Sequence, residues 1–164
     1  MTATRSSQVI RWSLALLLSG SVTAWTLACG DEKTPKKVRI SVVVILASET
    51  GNKIDKKLDG IAKEVQKVHP ELKNFELAKL SCKSLEVGKT DKFDLVEKQT
   101  TSIVIQKAAD KMDRICLKVS PPMMGEITYS TPCGKFLPIL TPYRTKKNQV
   151  VIVAIRVQPC NGGK

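Results

Sequence analysis

The sequence predicts an α+β domain in which one amphipathic helix packs on a curled, mainly antiparallel sheet of about seven to eight strands. Three observations lead to this prediction. Apolar residues follow helical spacing in one segment, residues 54–68. From Phe75 onward, short strand-type segments alternate with polar turns. Residues 38–47 and 149–157 are apolar on both faces, which is typical of strands in the middle of a sheet.

The helix is predicted from the spacing of its apolar residues, which are Ile54, Leu58, Ile61, Ala62, Val65 and Val68. Asp55 can act as its N-cap, because a carboxylate accepts hydrogen bonds from the free backbone N–H groups of a first turn. Pro70 predicts that the helix ends near Val68 or His69. Gly60 weakens the helix by about 1 kcal/mol relative to alanine, so we expect packing rather than propensity to hold it.

Seven strands are predicted after the helix, and polar turns separate most of them. Their predicted bounds are 75–87, 91–97, 100–107, 114–119, 126–130, 135–143 and 149–157. Together with the strand at residues 38–47, this predicts a sheet of eight strands, against which the one helix packs.

The first 28 residues are typical of a secretory signal peptide. Arg5 and Arg11 precede an uncharged run that ends at Ala28, and a polar stretch follows Cys29. Cys29 resembles a bacterial lipoprotein processing site, in which Ala28 fits the pattern and Leu27 lies one place later than the pattern has it. Two alternatives are ordinary cleavage after residues 22–24 and a retained membrane anchor. We therefore expect a signal peptide (1–28), a tether (29–37), one domain (38–160) and a tail (161–164).

The charge of the exported part predicts anionic partners. Without residues 1–28, 25 basic residues face 15 acidic ones, a net charge of +10. Such a charge favours association with acidic polymers, acidic proteins or anionic lipid surfaces. An exported protein with few aromatic side chains is a poor candidate for binding nucleic acid. The expected partners are therefore the membrane, through the lipid on Cys29, and an anionic envelope polymer or acidic protein.

Four cysteines remain when Cys29 carries lipid, and an even number in an exported chain predicts two disulfides. Three pairings are possible. If residues 145–148 form a four-residue hairpin loop, Arg144 lies opposite Gln149, and Cys133 then lies opposite Cys160 within disulfide range. The bridge between Cys82 and Cys116 follows only by elimination.

No catalytic motif is visible, and the sequence predicts neither a metal nor a cofactor. His69 precedes Pro70 at the predicted end of the helix, where a protonated imidazole suits the helix dipole. Tyr143, Arg144, Lys146 and Lys147 form a basic hairpin tip that is a candidate contact for anions. Met123 and Met124 form an apolar loop tip that is a candidate protein contact.

Four segments of the chain resemble a group of small exported proteins of unknown function from planctomycete-like bacteria. These segments are ILAS at 45–48, Ile54-Asp55-x-x-Leu58, KSLEV at 83–87 and CGKFLPIL at 133–140. The resemblance implies an envelope module and carries no activity or site. Together with the charge, it leads us to expect a non-enzymatic binding or assembly module of the cell envelope. The alternatives are a structural domain that docks on a larger secretion or cell-surface complex, and a hydrolase with an unrecognised site.

Overall fold

The computed structural model of the chain describes residues 37–159, which contain eight strands and one short α-helix. The strands are β1 Lys37–Ser48, β2 Asn74–Glu86, β3 Thr90–Asp94, β4 Thr100–Lys107, β5 Arg114–Ser120, β6 Ile127–Pro132, β7 Phe136–Arg144 and β8 Val150–Pro159. The helix α1 spans Asp59–Gln66 and follows a 3-10 turn at Lys56–Leu58. The predicted mixture of one helix with antiparallel strands is confirmed, and most strand bounds agree with the prediction within about two residues.

The strands form two antiparallel sheets rather than one curled sheet, so that part of the prediction is wrong. The helix-side sheet has the order β2-β1-β8-β7, and the second sheet has the order β3-β4-β5-β6. The chain passes between sheets at Gly88 and at Gly134, which adopt φ of 84° and 85°, a region open to glycine at little cost. Alternation along a strand indicates its buried face but not its neighbour, and this is why the sequence did not separate the sheets.

Strands β1 and β8 are the central strands of the helix-side sheet, as predicted, and both of their faces are buried over most of their length. The even-numbered residues of β1 and the odd-numbered residues of β8 face the second sheet and form the core between the two sheets. That core contains Val38, Ile40, Val42 and Val44 from β1 and Val151, Val153, Ile155 and Val157 from β8. The opposite faces contribute Val43, Ile45, Ala47, Val150, Ile152 and Ala154 to a second core beneath the helix. Residues 37–159 therefore form three layers, with the helix-side sheet in the middle.

The helix is shorter than its apolar pattern predicts. Asp55 caps the 3-10 turn, where its carboxylate accepts from the N–H of Lys57 at 3.1 Å. Leu58, Ile61, Ala62 and Val65 are buried, as expected for the apolar face. Val68, however, is 75% exposed because α1 ends at Gln66. Leu72, which is 2% exposed, joins the core beneath the helix in place of Val68.

The register of the β7–β8 hairpin differs from the prediction. Arg144 lies opposite Val150 rather than Gln149, and an irregularity before it shifts the pairing so that Ile139 lies opposite Val153. The loop closes more tightly than expected, because the N–H of Thr145 donates to the carbonyl of Gln149 at 2.9 Å. The register from which the bridge between residues 133 and 160 was inferred is therefore wrong.

The predicted bridge between Cys82 and Cys116 is absent. Cys82 lies on β2 of the helix-side sheet, and its thiol donates to the hydroxyl of Ser41 at 3.4 Å. Cys116 lies on β5 of the second sheet, and its thiol donates to Gln106 Oε1 at 3.3 Å. Cys82, Cys116 and Cys133 have no disulfide partner among residues 37–159. Cys160 lies outside the described residues, so its pairing stays a prediction.

Candidate binding face

The helix covers only part of the outer face of the helix-side sheet. Eight helical residues span about 12 Å, whereas the 12 residues of β1 extend over about 40 Å. The helix packs over the half that carries Val43, Ile45 and Ala47. The other half, which begins at Lys37, is covered by no other helix or strand of residues 37–159. This surplus of strand length over helix length creates a polar face beside the helix.

The strand registers place a basic set of side chains on this uncovered face. One cross-strand row contains Cys82, Ser41, Arg156 and Phe136 in the order β2-β1-β8-β7. The next row contains Ser84, Arg39 and Gln158, and the last pairs Glu86 with Lys37. We call Lys37, Arg39, Ser41, Arg156 and Phe136 the basic face. Its three cations form no ion pair with any described residue.

Arg156 is held in an unusual environment at the centre of the basic face. Its guanidinium carbon lies 4.8 Å from the ring centroid of Phe136, a cation–π distance. Its Nε atom is buried and has no hydrogen-bond partner in the described structure. Leaving such a donor unmet costs about 1–3 kcal/mol. The opposite residue, Ser41, is only 2% exposed, and its oxygen accepts from the thiol of Cys82.

A groove of about 730 Å³ separates α1 from the edge strand β7 and adjoins the basic face at Phe136. Its apolar lining comes from Ile61, Phe136, Leu137 and Pro138. Its charged lining comes from Lys57, Glu64 and Lys135. Glu64 is paired with Lys67 at 2.6 Å, and neither groove lysine forms an ion pair with a described carboxylate. The groove thus extends the basic character of the face.

The predicted basic hairpin tip carries its own acid. Glu97, from the β3–β4 turn, accepts a hydrogen bond from the hydroxyl of Tyr143 and another from the N–H of Lys146 at 3.0 Å. The hydroxyl of Tyr143 and the N–H of Lys146 lower the pKa of Glu97, and the same hydroxyl bond raises the pKa of Tyr143. Arg144 donates to the carbonyl of Asn148 at 3.3 Å. An external anion would therefore find Tyr143 occupied and meet mainly Lys146 and Lys147, which are exposed.

His69 lies in a small cavity of about 220 Å³ together with Glu49, Glu71 and Thr141. Its Nδ1 is 2.9 Å from Glu71 Oε1, and the pKa of Glu71 is lowered first by its backbone hydrogen bond and then by His69. The hydroxyl of Thr141 donates to the carbonyl of Val151 at 2.7 Å, so it is not free to act as a nucleophile. The cavity supplies a histidine oriented by a carboxylate, which alone does not make a hydrolytic site.

The remaining predicted features are placed as follows. Cys29 lies outside the described residues. No helix within residues 37–159 is long and apolar enough to cross a membrane. Over the same range, no group of three or more His, Cys, Asp or Glu side chains is arranged to hold a metal ion. Met123 is 75% exposed at its loop tip and Met124 is 36% exposed.

Sequence reasoning missed Arg156 and Ser41, although a signal was present. Arg156 is the only charged residue in the apolar run VVIVAIRV, and a charge in a central strand needs a structural or functional reason. Comparison with known proteins adds no further guide, because no protein-family model, curated protein or solved structure matches the chain.

Proposed function

We propose that the protein is a non-enzymatic, exported and lipid-anchored module of the cell envelope that binds an anionic partner on its basic face. The observation that carries this proposal is the unpaired charge of the uncovered half-sheet. Lys37 and Arg39 are exposed there, Arg156 is half-buried, and none of the three has a described ion-pair partner. A surface tuned only for solubility would intersperse both signs of charge.

The anchor would keep this face near a membrane. Residues 30–36 join Cys29 to Lys37, and seven residues span at most about 25 Å. Lys37 begins β1 at the uncovered end of the sheet. A lipid on Cys29 would therefore hold the basic face within reach of anionic headgroups, each basic residue contributing about 1 kcal/mol near such a surface. Mass spectrometry of the protein from its envelope should find a chain that starts at a diacylglyceryl-modified Cys29; a lipid-free chain starting at Trp25 would refute the anchor.

The binding claim is tested with matched charge reversals in the full chain. The double change Lys37→Glu and Arg39→Glu should weaken binding to anionic vesicles and to an acidic polysaccharide at low salt by more than tenfold. The double change Lys146→Glu and Lys147→Glu alters the net charge equally at the hairpin tip and should weaken binding far less. Binding by the parent chain should fall steeply as salt rises, because the Debye length, over which exposed charges interact, shortens to about 8–10 Å near physiological ionic strength. Equal losses in the two variants would show that only net charge matters and would contradict a binding face.

A second candidate function is a structural domain that docks on a larger secretion or cell-surface complex. The apolar lining of the groove between α1 and β7 favours it, since Ile61 and Phe136 offer hydrophobic contact beside the edge strand. Pro138 and Pro142 make strand addition at β7 unfavourable, because proline has no N–H to donate. Co-purification with protein partners that survives high salt, and that is lost on Phe136→Ser, would favour docking over anion binding.

A hydrolase remains the third candidate, and the cavity around His69 is where its site would lie. Replacing His69 with Gln keeps a polar group but removes the titrating imidazole. An esterase or amidase activity of the purified chain that disappears in His69→Gln would favour this candidate. Unchanged activity in that variant would exclude His69 as the base.

A further inference from the structure

We infer that the groove between α1 and β7 binds a fatty acid, with the acyl chain on its apolar floor and the carboxylate at its two lysines. The inference goes beyond the proposed function, because the groove lies beside the basic face and holds its ligand by apolar contact as well as by charge. The groove volume of about 730 Å³ lies within the range of about 300–1,000 Å³ that is usual for small-molecule sites.

The two lysines lie at the same end of the groove. The groove joins residues 57–64 to the beginning of β7. The cavity around His69 joins the chain just after the helix to the last residues of β7. Both segments therefore run in the same direction, from the groove toward that cavity. Lys57 and Lys135 come first along the two segments, so both lie at the end far from His69, and Glu64 lies at the opposite end.

Charge is distributed unequally along the groove. Neither Lys57 nor Lys135 forms an ion pair with a described residue. The opposite end carries no excess of positive charge, because Glu64 there is paired with Lys67. Lysine stems can cover apolar surface while their ammonium groups stay in water. A carboxylate is therefore attracted to one end only, which fixes the orientation of a fatty acid in the groove.

Gly60 keeps the helix side of the groove open. Glycine is less favourable than alanine inside a helix, and the backbone at Gly60 does not require it, since its φ is not positive. A Cβ at this position would have no neighbouring atom within 4 Å. Gly60 lines the groove, so a larger side chain there would take up space that the groove now offers. The packing of the helix gives no reason for this glycine, whereas an open groove does.

The lining suits an acyl chain better than a peptide. Its apolar residues are Ile61, Phe136, Leu137 and Pro138, and the described residues that line it include no uncharged hydrogen-bonding side chain. A peptide would bring backbone N–H and C=O groups, which need hydrogen-bond partners when they are buried. Pro138 has no N–H to offer them. A methylene chain has no such groups, so it can cover the apolar floor without leaving a polar group unmet.

The first test titrates the full chain, in nanodiscs of zwitterionic lipid, with fatty acids from hexanoate to tetradecanoate while the free ligand concentration is measured. Affinity should rise about fourfold for each added methylene, as the burial of one CH₂ group predicts. The rise should end once the acyl chain exceeds the sheet-side wall, which spans about 10 Å over three strand steps. The amide resonances of Gly60, Ile61 and Phe136 should shift. An affinity independent of chain length, or no shift at these residues, would overturn the inference.

The second test fills the groove. Gly60→Leu places a large side chain in it, and Gly60→Ala is the matched control that adds one methyl group. Both changes should raise the melting temperature of the ligand-free chain, because both replace glycine within a helix. Gly60→Leu should weaken decanoate binding at least tenfold, and Gly60→Ala less than threefold. Because the blocked variant is the more stable one, its loss of binding would not come from unfolding, and parent-like binding by it would refute the site.

The third test concerns the carboxylate. The double change Lys57→Gln and Lys135→Gln should weaken decanoate binding about threefold to tenfold, the range expected for exposed ion pairs, and should leave the binding of decanol within twofold of the parent. The double change Lys146→Gln and Lys147→Gln removes the same charge at the hairpin tip and should alter neither affinity. Equal losses of decanoate binding in the two variants would show that only net charge matters and would overturn the assignment of the carboxylate.

The inference and the proposed function can fail separately. Lys37→Glu with Arg39→Glu should keep decanoate binding even where it abolishes binding to anionic vesicles. Loss of fatty-acid binding in that variant would place the ligand on the basic face and refute the groove. A parent chain that binds no fatty acid, but forms a dimer or retains a protein partner that Gly60→Leu releases, would assign the groove to protein contact and refute the inference while leaving the basic face intact.

Discussion

Replacing Ile152 or Ile155 with alanine should weaken one of the two cores in residues 37–159 at a time, and comparing the two variants shows which elements each core supports. These residues lie three positions apart on β8 and are both fully buried. Ile152 faces the helix, and Ile155 faces the second sheet. Because they have the same volume and the same exposure, any difference between the two variants reflects the layer that each one supports.

The expected cost is similar for both variants. Each change removes three buried carbon atoms, which at about 0.8 kcal/mol apiece gives roughly 2.4 kcal/mol of lost transfer free energy. The cavity left behind raises the cost, within the range of about 2–5 kcal/mol measured for Ile→Ala in cores. A value near 3–4 kcal/mol would consume a large share of the roughly 5–15 kcal/mol that stabilises a whole domain. Urea denaturation of the full chain should therefore show a clear fall in midpoint for both variants.

Hydrogen exchange distinguishes the layers. Ile152→Ala should speed amide exchange in α1, and Ile155→Ala should speed it in β5, whose Ile115 and Leu117 share the core between the sheets. Leu80→Ala is the control, because Leu80 is 60% exposed on the same sheet and should cost less than about 1 kcal/mol. If Ile155→Ala released the helix while β5 stayed protected, the assignment of the two faces would be refuted.

Two further predictions concern titration and thiols. Tyr143→Phe should flatten the pH dependence of the melting temperature. Because the pKa of Glu97 is lowered, its ionised form stabilises the fold above about pH 4.3, the usual pKa of glutamate, and this contribution is lost as the pH falls through the lowered pKa. Because the pKa of Tyr143 is raised, its protonated form stabilises the fold below about pH 10, and this contribution is lost as the pH rises through the raised pKa. An unchanged acid limb in that variant would contradict the Tyr143–Glu97 contact. Without reductant, Cys82 should alkylate faster than Cys133, because burial and then the charges of Asp113 and Asp110 raise the pKa of the Cys133 thiol. If Cys133 were alkylated only after reduction, the result would instead support its bridge to Cys160.

Much of the fold could be predicted from local pattern. The continuous apolar character of β1 and β8 indicated central strands, because only a strand covered on both sides buries every side chain. The turn residues gave most strand bounds for the same local reason. The partner of each strand could not be predicted in this way, because alternation is the same whether β3 pairs with β2 or lies in another sheet. The predicted β7–β8 register was wrong by one residue, and this error placed Cys133 opposite the wrong residue of the last strand.

The candidate site was the harder part, and the reason is geometric. The basic hairpin tip was conspicuous in sequence because its residues are adjacent along the chain, yet folding brings Glu97 to it from 46 positions away. Arg156 and Ser41 are distant in sequence, and only the pairing of β1 with β8 makes them neighbours. Arg39 also lies near Arg156 because of the β1–β8 register, which the sequence separation of the two residues does not indicate.

By itself the sequence determined the composition, the net positive charge, the one helix and the two strands that must lie at the centre. These properties depend on residue types and on short-range periodicity. The tertiary structure decided that eight strands divide between two sheets, that the helix covers only half of one face, and which charges remain without a partner. Those outcomes depend on long-range pairing and on the relative lengths of packed elements: an eight-residue helix cannot cover a 12-residue strand, and the surplus length is what exposes the basic face.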